Sequence, residues 1–495
     1  MTGDYPDAET KPGSGRTVDV LIVVGLILVL LPFYMRNLDR PLGNGDEAVY
    51  AELARGMARG GDWLTARWQE RPVFNRPPAS IWPLALAMKV AGTSEAVIYA
   101  VGAVEAVVVV VLVYVLGMLL WSRSVGLLAA LFAGTTTLHL IYARTVVADN
   151  LLCIFVLTSF IAWEMGRKRR AWLIVWGLVL GFALLTKQVV GLLPLAAPIA
   201  DGLARRPVDW RKLAASLAIG LALAGLWLGI ETWRFGPVFL RQHLLLNVVL
   251  RARAPMLEQT TASFYLRMLV ALETPLIVLS ALGMLRLLVR HRFLVPLWGL
   301  GSLFVFSVSA TRFNYYALTT YPALALAMAA LLQGAWQTVP GRSLLRVLRL
   351  ALPWLALGVW LAVHLPMPGF LRAQPSMDPE PGWLARTMGQ VSAPGDPLFL
   401  VGINPYSPRF YSDRHTVQLV ARASSTAVST AVLEAERWPV DDVAATLHQQ
   451  PRWFAILRKD QIAMLHGLEN VRMVNQTPSL VLVSNQDHSY QDRTP

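Results

Sequence analysis

The chain contains a single cysteine, Cys153, in 495 residues. An intramolecular disulfide and a thiolate metal cluster are therefore excluded. Cys153 sits in an apolar run and reads as a small core residue. Charge is also scarce: Asp, Glu, Lys and Arg make up 15% of the chain against 55% hydrophobic residues, and mean hydropathy is +0.48. That balance excludes an ordinary soluble enzyme and indicates a polytopic membrane protein. Acids are the scarcer sign, 31 against 44 bases, giving a net charge of +13. This excess does not point to nucleic acid, because the bases cluster in short connectors between apolar segments, as the positive-inside rule expects. Such connectors are Arg167–Arg170, Arg205-Arg206 with Arg211-Lys212, Arg290–Arg292 and Arg342–Arg349. No internal repeat suggests an inverted-repeat transporter. No small-residue cleavage site precedes Arg36, so the first apolar segment reads as an uncleaved anchor.

Placing every basic connector in the cytoplasm threads the chain. Residues 1–17 form a polar cytoplasmic tail. Val18–Met35 crosses outward, and the loop 37–96 is then external. Ala79–Ala91 is too short to cross and reads as a helix in the interface. Further spans cover Val97–Trp121, Val125–Tyr142, Leu151–Met165, two segments within Ala171–Ala204 that turn near Lys187, and Leu213–Trp233. A second external loop, 234–263, precedes the remaining spans, the last of which exits near His364. The expected membrane domain, 18–365, is α-helical with about 11–13 transmembrane helices. From residue 366 to 495, short apolar runs alternate with helical patterns, which predicts a small extracytoplasmic α/β domain. Its predicted strands are Pro397–Val401, Thr416–Val420, Trp453–Leu457 and Leu480–Val483.

The charged residues outside the cytoplasmic connectors all fall on the external side. They are Asp46, Glu47, Arg76, Arg144, Asp149, Lys187, His243 with Arg251 and Arg253, and Arg312 beside Tyr315 and Tyr316. Separate spans thus bring carboxylates, cations and tyrosines to one face. Cations there can hold a leaving phosphate, and a carboxylate can orient or deprotonate an acceptor. Each residue also has a purely structural reading. Asp46-Glu47 can be a helix N-terminal pair, Arg144 and Asp149 an ion pair, and Lys187 a snorkelling cation. His243 can be an interfacial residue, and Arg312 with its tyrosines part of an interfacial belt.

The run Asp46-Glu47-Ala48-Val49-Tyr50, then Gly61-Asp62-Trp63, then Asn75-Arg76-Pro77-Pro78, resembles the first external loop of GT-C membrane glycosyltransferases. The resemblance is to the bacterial aminoarabinose transferase and protein O-mannosyltransferase superfamily. Ala143-Arg144 with Asp149, Thr186-Lys187, and Ser309 to Tyr316 followed by Pro322 resemble further motifs of that family. The likeness covers about Val18 to Ala330. Two departures stand out: Asn75-Arg76 replaces the Glu-Lys usual in the aminoarabinose branch, and no Arg follows His243 at the family's spacing.

The resemblance implies an inverting glycosyltransferase at the periplasmic face of a bacterial inner membrane, acting on a lipid, glycan or protein acceptor. Lipid A modification of the aminoarabinose type is one such activity. The donor it implies is a polyprenyl-phosphate-linked sugar, with membrane lipids as surroundings and no nucleic acid partner. It implies Asp46, Glu47 and Asp149 as catalytic residues, and Tyr50, Arg76, Arg144, Lys187, His243, Arg312 and Tyr316 as substrate-binding residues. The resemblance fixes no cofactor; a divalent metal is the one candidate, and Asn75 in place of the family's Glu weakens its case. The rival from another class is a transporter or flippase of lipid-linked saccharide. It predicts charges within spans, where Glu105 and Glu273 are the candidates.

Overall fold

The computed structural model describes residues 14–36, 38–250, 261, 263–338, 378–421 and 437–486. The first helix, α1 (Ser14–Tyr34), is almost uncharged and exposes Leu21, Leu28 and Val29 along one side. In water such a stripe would be an association hazard, whereas in a bilayer it is the face toward lipid. The opposite side packs Leu26, Leu30 and Tyr34 against Ala103, Val107 and Val110. Outside the bundle lie α2 (Asp46–Gly60), the two-strand hairpin β1 (Arg67–Trp68) and β2 (Arg71–Pro72), and α3 (Trp82–Ala91). At ten residues α3 is too short to cross, in line with an interfacial helix.

The bundle continues with α4 (Glu95–Leu120), α5 (Arg123–Thr135), α6 (Thr137–Tyr142), α7 (Ala148–Gly166) and α8 (Ala171–Lys187). Ser94 and Ser122 cap α4 and α5 by accepting the Val97 and Val125 amides, which satisfies otherwise orphaned donors. A 3₁₀ segment, Gln188–Leu195, and α9 (Ala196–Leu203) follow, then α10 (Trp210–Phe235), the short α11 (Pro237–Leu240) and a π-helical turn over Arg241–Leu250. The bundle closes with α12 (Phe264–Val289), α13 (Leu294–Val308), a 3₁₀ turn Asn314–Thr319 and α14 (Tyr321–Thr338).

Among the described residues six helical stretches, or seven if a bent pair counts as one, are long and apolar enough to cross a membrane. That is fewer than the expected number, because several expected spans are built from short or broken helices. Val125–Tyr142 is split into α5 and α6 at Thr136. The stretch Ala171–Leu203 doubles back. Gln188 adopts φ 48 there, and a Cβ on Gly191 would collide with the Ala183 carbonyl. Arg167 after α7 bonds Asp201 of α9 at one end, while Lys187 pairs with Asp149 at the other. The returning limb is half 3₁₀, so its sixteen residues, eight in each part, rise about 28 Å in all. That nearly matches the ~30 Å hydrocarbon core. α12 bends by 116° next to Glu273, whose φ of −137° is not helical. The last expected span, ending near His364, lies outside the described residues.

The C-terminal domain is a six-stranded sheet with helices on both faces. Its strands are β3 (Leu398–Val401), β4 (Thr416–Ala421), β5 (Arg437–Val440), β6 (Phe454–Arg458), β7 (Arg472–Gln476) and β8 (Leu480–Ser484), in the spatial order β5-β4-β3-β6-β8-β7. β5, β4, β3 and β6 are parallel; β8 runs antiparallel to β6, and β7 antiparallel to β8. Its helices are α15 (Glu380–Val391), α16 (Tyr406–Ser412) and α17 (Val443–His448). Phe399, Val417 and Ala455 face a cluster with Leu447, while Leu400 and Ile456 face Leu384 and Met388. Both faces being covered explains the continuous apolar runs that marked these strands in the sequence. The domain docks on the external layer: Phe410 joins the buried cluster of Val49, Leu53 and Met57 on α2.

Candidate active site

Asp46 is the first residue of α2, and Arg76 lies in the loop between β2 and Pro77-Pro78. Thirty residues apart, they form an ion pair of 2.6 Å. Tyr315, on the 3₁₀ turn before α14, donates its hydroxyl to the second Asp46 oxygen at 2.6 Å. The helix N-terminus and the guanidinium both favour the ionised carboxylate. Burial opposes the charge on Arg76, but the Asp46 carboxylate outweighs it and holds the guanidinium well above its usual value. Arg76 also lies over the Tyr50 ring at 4.9 Å.

A second ion pair faces the same space. Asp149, in the first turn of α7, bonds Lys187 at the C-terminal end of α8. The Lys187 ammonium stands 4.0 Å from the centroid of the Tyr316 ring, within cation–π range. The two pairs line one cavity of about 350 Å³. Tyr50, Asn75, Thr186, Gln188, Tyr315 and Tyr316 line it too, and Val189, Val305, Phe306 and Val308 form an apolar wall. Val189, Val305 and Val308 are 55%, 47% and 62% exposed. The wall thus opens sideways on the flank that a bilayer would cover.

The structure therefore gathers Asp46, Tyr50, Arg76, Asp149, Lys187 and Tyr316 of the sequence-derived candidates. It places the others elsewhere. Glu47 is fully buried away from the cavity; it accepts hydrogen bonds from the Gly43 amide and the Tyr99 hydroxyl. Burial pushes its carboxyl above the ordinary range, against the pull of Arg40 and those bonds. Successive helical residues are rotated by about 100°, so neighbouring acids on α2 cannot share a face. Arg144 donates to the Arg36 carbonyl at 2.7 Å and makes no ion pair with Asp149. Arg312 donates to the Ser307 carbonyl. His243 is packed between Phe239 and Trp227, with Nδ1 2.7 Å from the Phe74 carbonyl. Burial lowers its pKa, so the ring is neutral and Nδ1 is the donor. Arg251 and Arg253 lie outside the described residues. Tyr315 and Gln188 were missed as site residues. Tyr315 was visible beside Tyr316, but nothing in the sequence marks Gln188 as the point where the chain reverses.

A divalent cation does not fit this donor set. The two cavity carboxylates are each engaged by a cationic side chain. Asn75 and Gln188 are neutral amides, and His243 does not line the cavity. Among the described residues no three His, Cys, Asp or Glu side chains come together as ligands.

The family described as dolichyl-phosphate-mannose-protein mannosyltransferase matches over residues 75–230. An undecaprenyl phosphate-alpha-4-amino-4-deoxy-L-arabinose arabinosyl transferase of Pectobacterium carotovorum is 28% identical over 377 residues, 71% of this chain and 66% of that protein. The alignment thus spans just under two thirds of the relative's length. A protein of the same description from Sodalis glossinidius is 27% identical over 196 residues, 38% of this chain and 34% of that protein. Among solved structures, ArnT from Cupriavidus metallidurans bound to undecaprenyl phosphate superposes with a TM-score of 0.71 at 18% identity, covering 96% of this chain and 98% of that one. The oligosaccharyltransferase AglB of Archaeoglobus fulgidus, in complex with an inhibitory peptide and a dolichol-phosphate, gives 0.56 at 13% identity over 81% of this chain and 64% of that one. In sequence the chain is similar to the protein mannosyltransferases and the aminoarabinose transferases, and in fold it is similar to ArnT.

Proposed function

We propose that the chain transfers a sugar from a polyprenyl-phosphate donor to an acceptor at the periplasmic face of a bacterial inner membrane. The observation that carries this is the single cavity in which Asp46, Arg76 and Lys187 meet beside an apolar wall open to the flank of the bundle. The wall suits a prenyl chain, and the two cations suit the phosphate that links it to the sugar. At about 4 Å and an effective dielectric near 20, a cation attracts a unit of phosphate charge by ~4 kcal/mol, and the carboxylates of Asp46 and Asp149 beside the two cations offset part of that attraction. That attraction grows as the phosphate takes up the leaving electron pair, so it lowers the barrier and not only the binding energy.

The reaction is one displacement. An acceptor oxygen attacks the anomeric carbon from the face opposite the phosphate. The bond from that carbon to the phosphate oxygen breaks, and polyprenyl phosphate leaves with the electron pair. Inversion follows from the geometry. Where the acceptor is a hydroxyl, its proton passes to Asp46, which is held ionised by Arg76 and aimed by Tyr315. A phosphate acceptor needs no base, and Asp46 then orients it. Asp149 holds the Lys187 ammonium toward the cavity. The chemistry runs without a protein-held metal, because the carboxylates that would bind one are neutralised by Arg76 and Lys187. A lipid, glycan or protein acceptor, including one of lipid A type, is compatible with an external site. The orientation rests on the basic end of the bundle, where Arg123, Arg167 and Arg206 cluster with Asp19 and Asp201 opposite the cavity.

The names of the relatives support a transferase, and a transporter or flippase is not favoured. Of the two acids expected to mark a translocation path, Glu273 accepts the Thr137 amide at 2.5 Å, which ties it to the N-terminus of α6. The test is transfer in proteoliposomes from a labelled polyprenyl-phosphate sugar, followed by a lipid extract of a deletion strain. The extract should accumulate one polyprenyl-phosphate sugar; an unchanged lipid profile would count against the reading.

A further inference from the structure

The catalytic loop is glycine-rich. Gly43 and Gly45 flank Asn44 immediately before Asp46, and glycine leaves a backbone freer than any other residue. Gly45 is the N-cap of α2 and has no side chain to fix how the chain enters the helix. Two local bonds restrain residues 43–45, from the Gly43 amide to Glu47 and from the Gly45 amide to the Gly43 carbonyl, and neither fixes the Asn44 side chain.

The missing restraint comes from the C-terminal domain. The Asn44 amide makes two bonds to the start of α16: Nδ2 donates to the Asn404 carbonyl at 2.9 Å, and Oδ1 accepts the Ser407 amide at 3.0 Å. The Leu42 amide donates to the Tyr411 hydroxyl at 2.7 Å. Six and nine residues beyond Asp46 along α2, Glu52 accepts from Arg409 at 2.9 Å and Arg55 donates to the Phe410 carbonyl at 2.7 Å. The same short helix, α16, thus holds both the loop before Asp46 and the body of the helix that Asp46 begins.

We propose that the C-terminal α/β domain is part of the catalytic apparatus: through Asn44 it sets the position of Asp46 in the cavity. Asn44 is a positioning residue, since it reaches the chemistry only through the loop it holds. The proposal rests on the glycosyltransferase reading for its kinetic arm. An exchange arm stands independently of it.

The test compares full-length Asn44→Ala with Arg59→Ala in proteoliposomes. Arg59 pairs with Asp413 at the same domain interface, but it is exposed and remote from the loop. Asn44→Ala should lower kcat on the order of 10- to 100-fold, the scale of a misplacement near 1 Å, with the KM for the polyprenyl-phosphate sugar within about twofold. Arg59→Ala should leave both unchanged. Hydrogen exchange of residues 42–49 should rise in Asn44→Ala and stay protected in Arg59→Ala. Wild-type kcat in Asn44→Ala, or equal losses in both variants, would overturn the proposal. If wild-type protein transfers no sugar, the functional reading fails by itself. Unchanged exchange at 42–49 in Asn44→Ala would then still overturn the positioning role.

Discussion

Replacing Asp149 by Asn should destabilise the protein by about 2–3 kcal/mol. The Asp149 side chain is 2% exposed and Lys187 19%. Removing one partner of a fully buried pair costs ~3–5 kcal/mol, because the other charge is left desolvated. Lys187 is not fully buried, and it keeps the Tyr316 ring at 4.0 Å. A contact of that kind is worth ~0.5–2 kcal/mol, so the lower figure follows. Asn also retains an acceptor for the ammonium. The assay is thermal unfolding of purified protein in detergent, followed by tryptophan fluorescence. Asp149→Asn should lower the apparent midpoint by about 5 °C. Lys187→Met alone should also destabilise, since it strands the carboxylate, and the double variant should recover part of the loss. Coupling of about 1.5–3 kcal/mol is expected between residues in direct contact. Strictly additive single and double variants would refute the claim that the pair acts as one buried unit.

Other expectations follow from the same geometry. Arg76→Ala should reduce kcat/KM for the lipid donor about 10²- to 10³-fold, whereas Arg76→Lys should be milder but not neutral because Lys lacks the planar fork over Tyr50; kinetics with a labelled donor decides it. Chelation of divalent cations should leave transfer within twofold of the untreated enzyme in the same proteoliposome assay, and a complete loss restored by zinc or manganese would contradict the metal-free mechanism. Arg55 and Arg59 hold the Asp413 carboxyl below its ordinary value of 3.8, outweighing its partial burial. Its contribution to domain docking is therefore present above about pH 4 and lost as pH falls through the lowered folded value. Hydrogen exchange across 406–413 should stay protected down to pH 5 and rise below pH 4, with Asp413→Asn abolishing that step.

The parts legible in the sequence are those whose signal is local. Long apolar runs marked α1, α4 and α10 closely. The four inner strands of the C-terminal sheet were visible because both of their faces are buried. The edge strands Arg437–Val440 and Arg472–Gln476 were not, since most of their side chains are exposed and carry no apolar pattern. The site shows the same division. Asp46, Arg76, Asp149 and Lys187 could be assigned to one face from topology alone, because each stands at the end of an apolar element. Glu47, Arg144 and Arg312 could not be sorted from them. Facing the cavity depends on the rotation of a helix or the path of a loop, and neither is a property of residue type. Tyr315 illustrates the converse. In a 3₁₀ turn neighbours differ by about 120°, yet the Tyr315 and Tyr316 rings meet edge to face, 5.1 Å apart, and both line the cavity. The role of Asn44 depends on a domain some 360 residues away, and no local reading reaches that far.

The central claim is that Asp46 acts on a polyprenyl-phosphate sugar held by Arg76 and Lys187. The most direct measurement is single-turnover transfer from a defined, labelled polyprenyl-phosphate sugar in proteoliposomes, comparing wild type with Asp46→Asn. Binding of undecaprenyl phosphate is measured on the same two samples. The account predicts transfer by wild type, a loss of about 10²- to 10⁴-fold in Asp46→Asn, and retained lipid binding in both. Transfer by Asp46→Asn at the wild-type rate would contradict it.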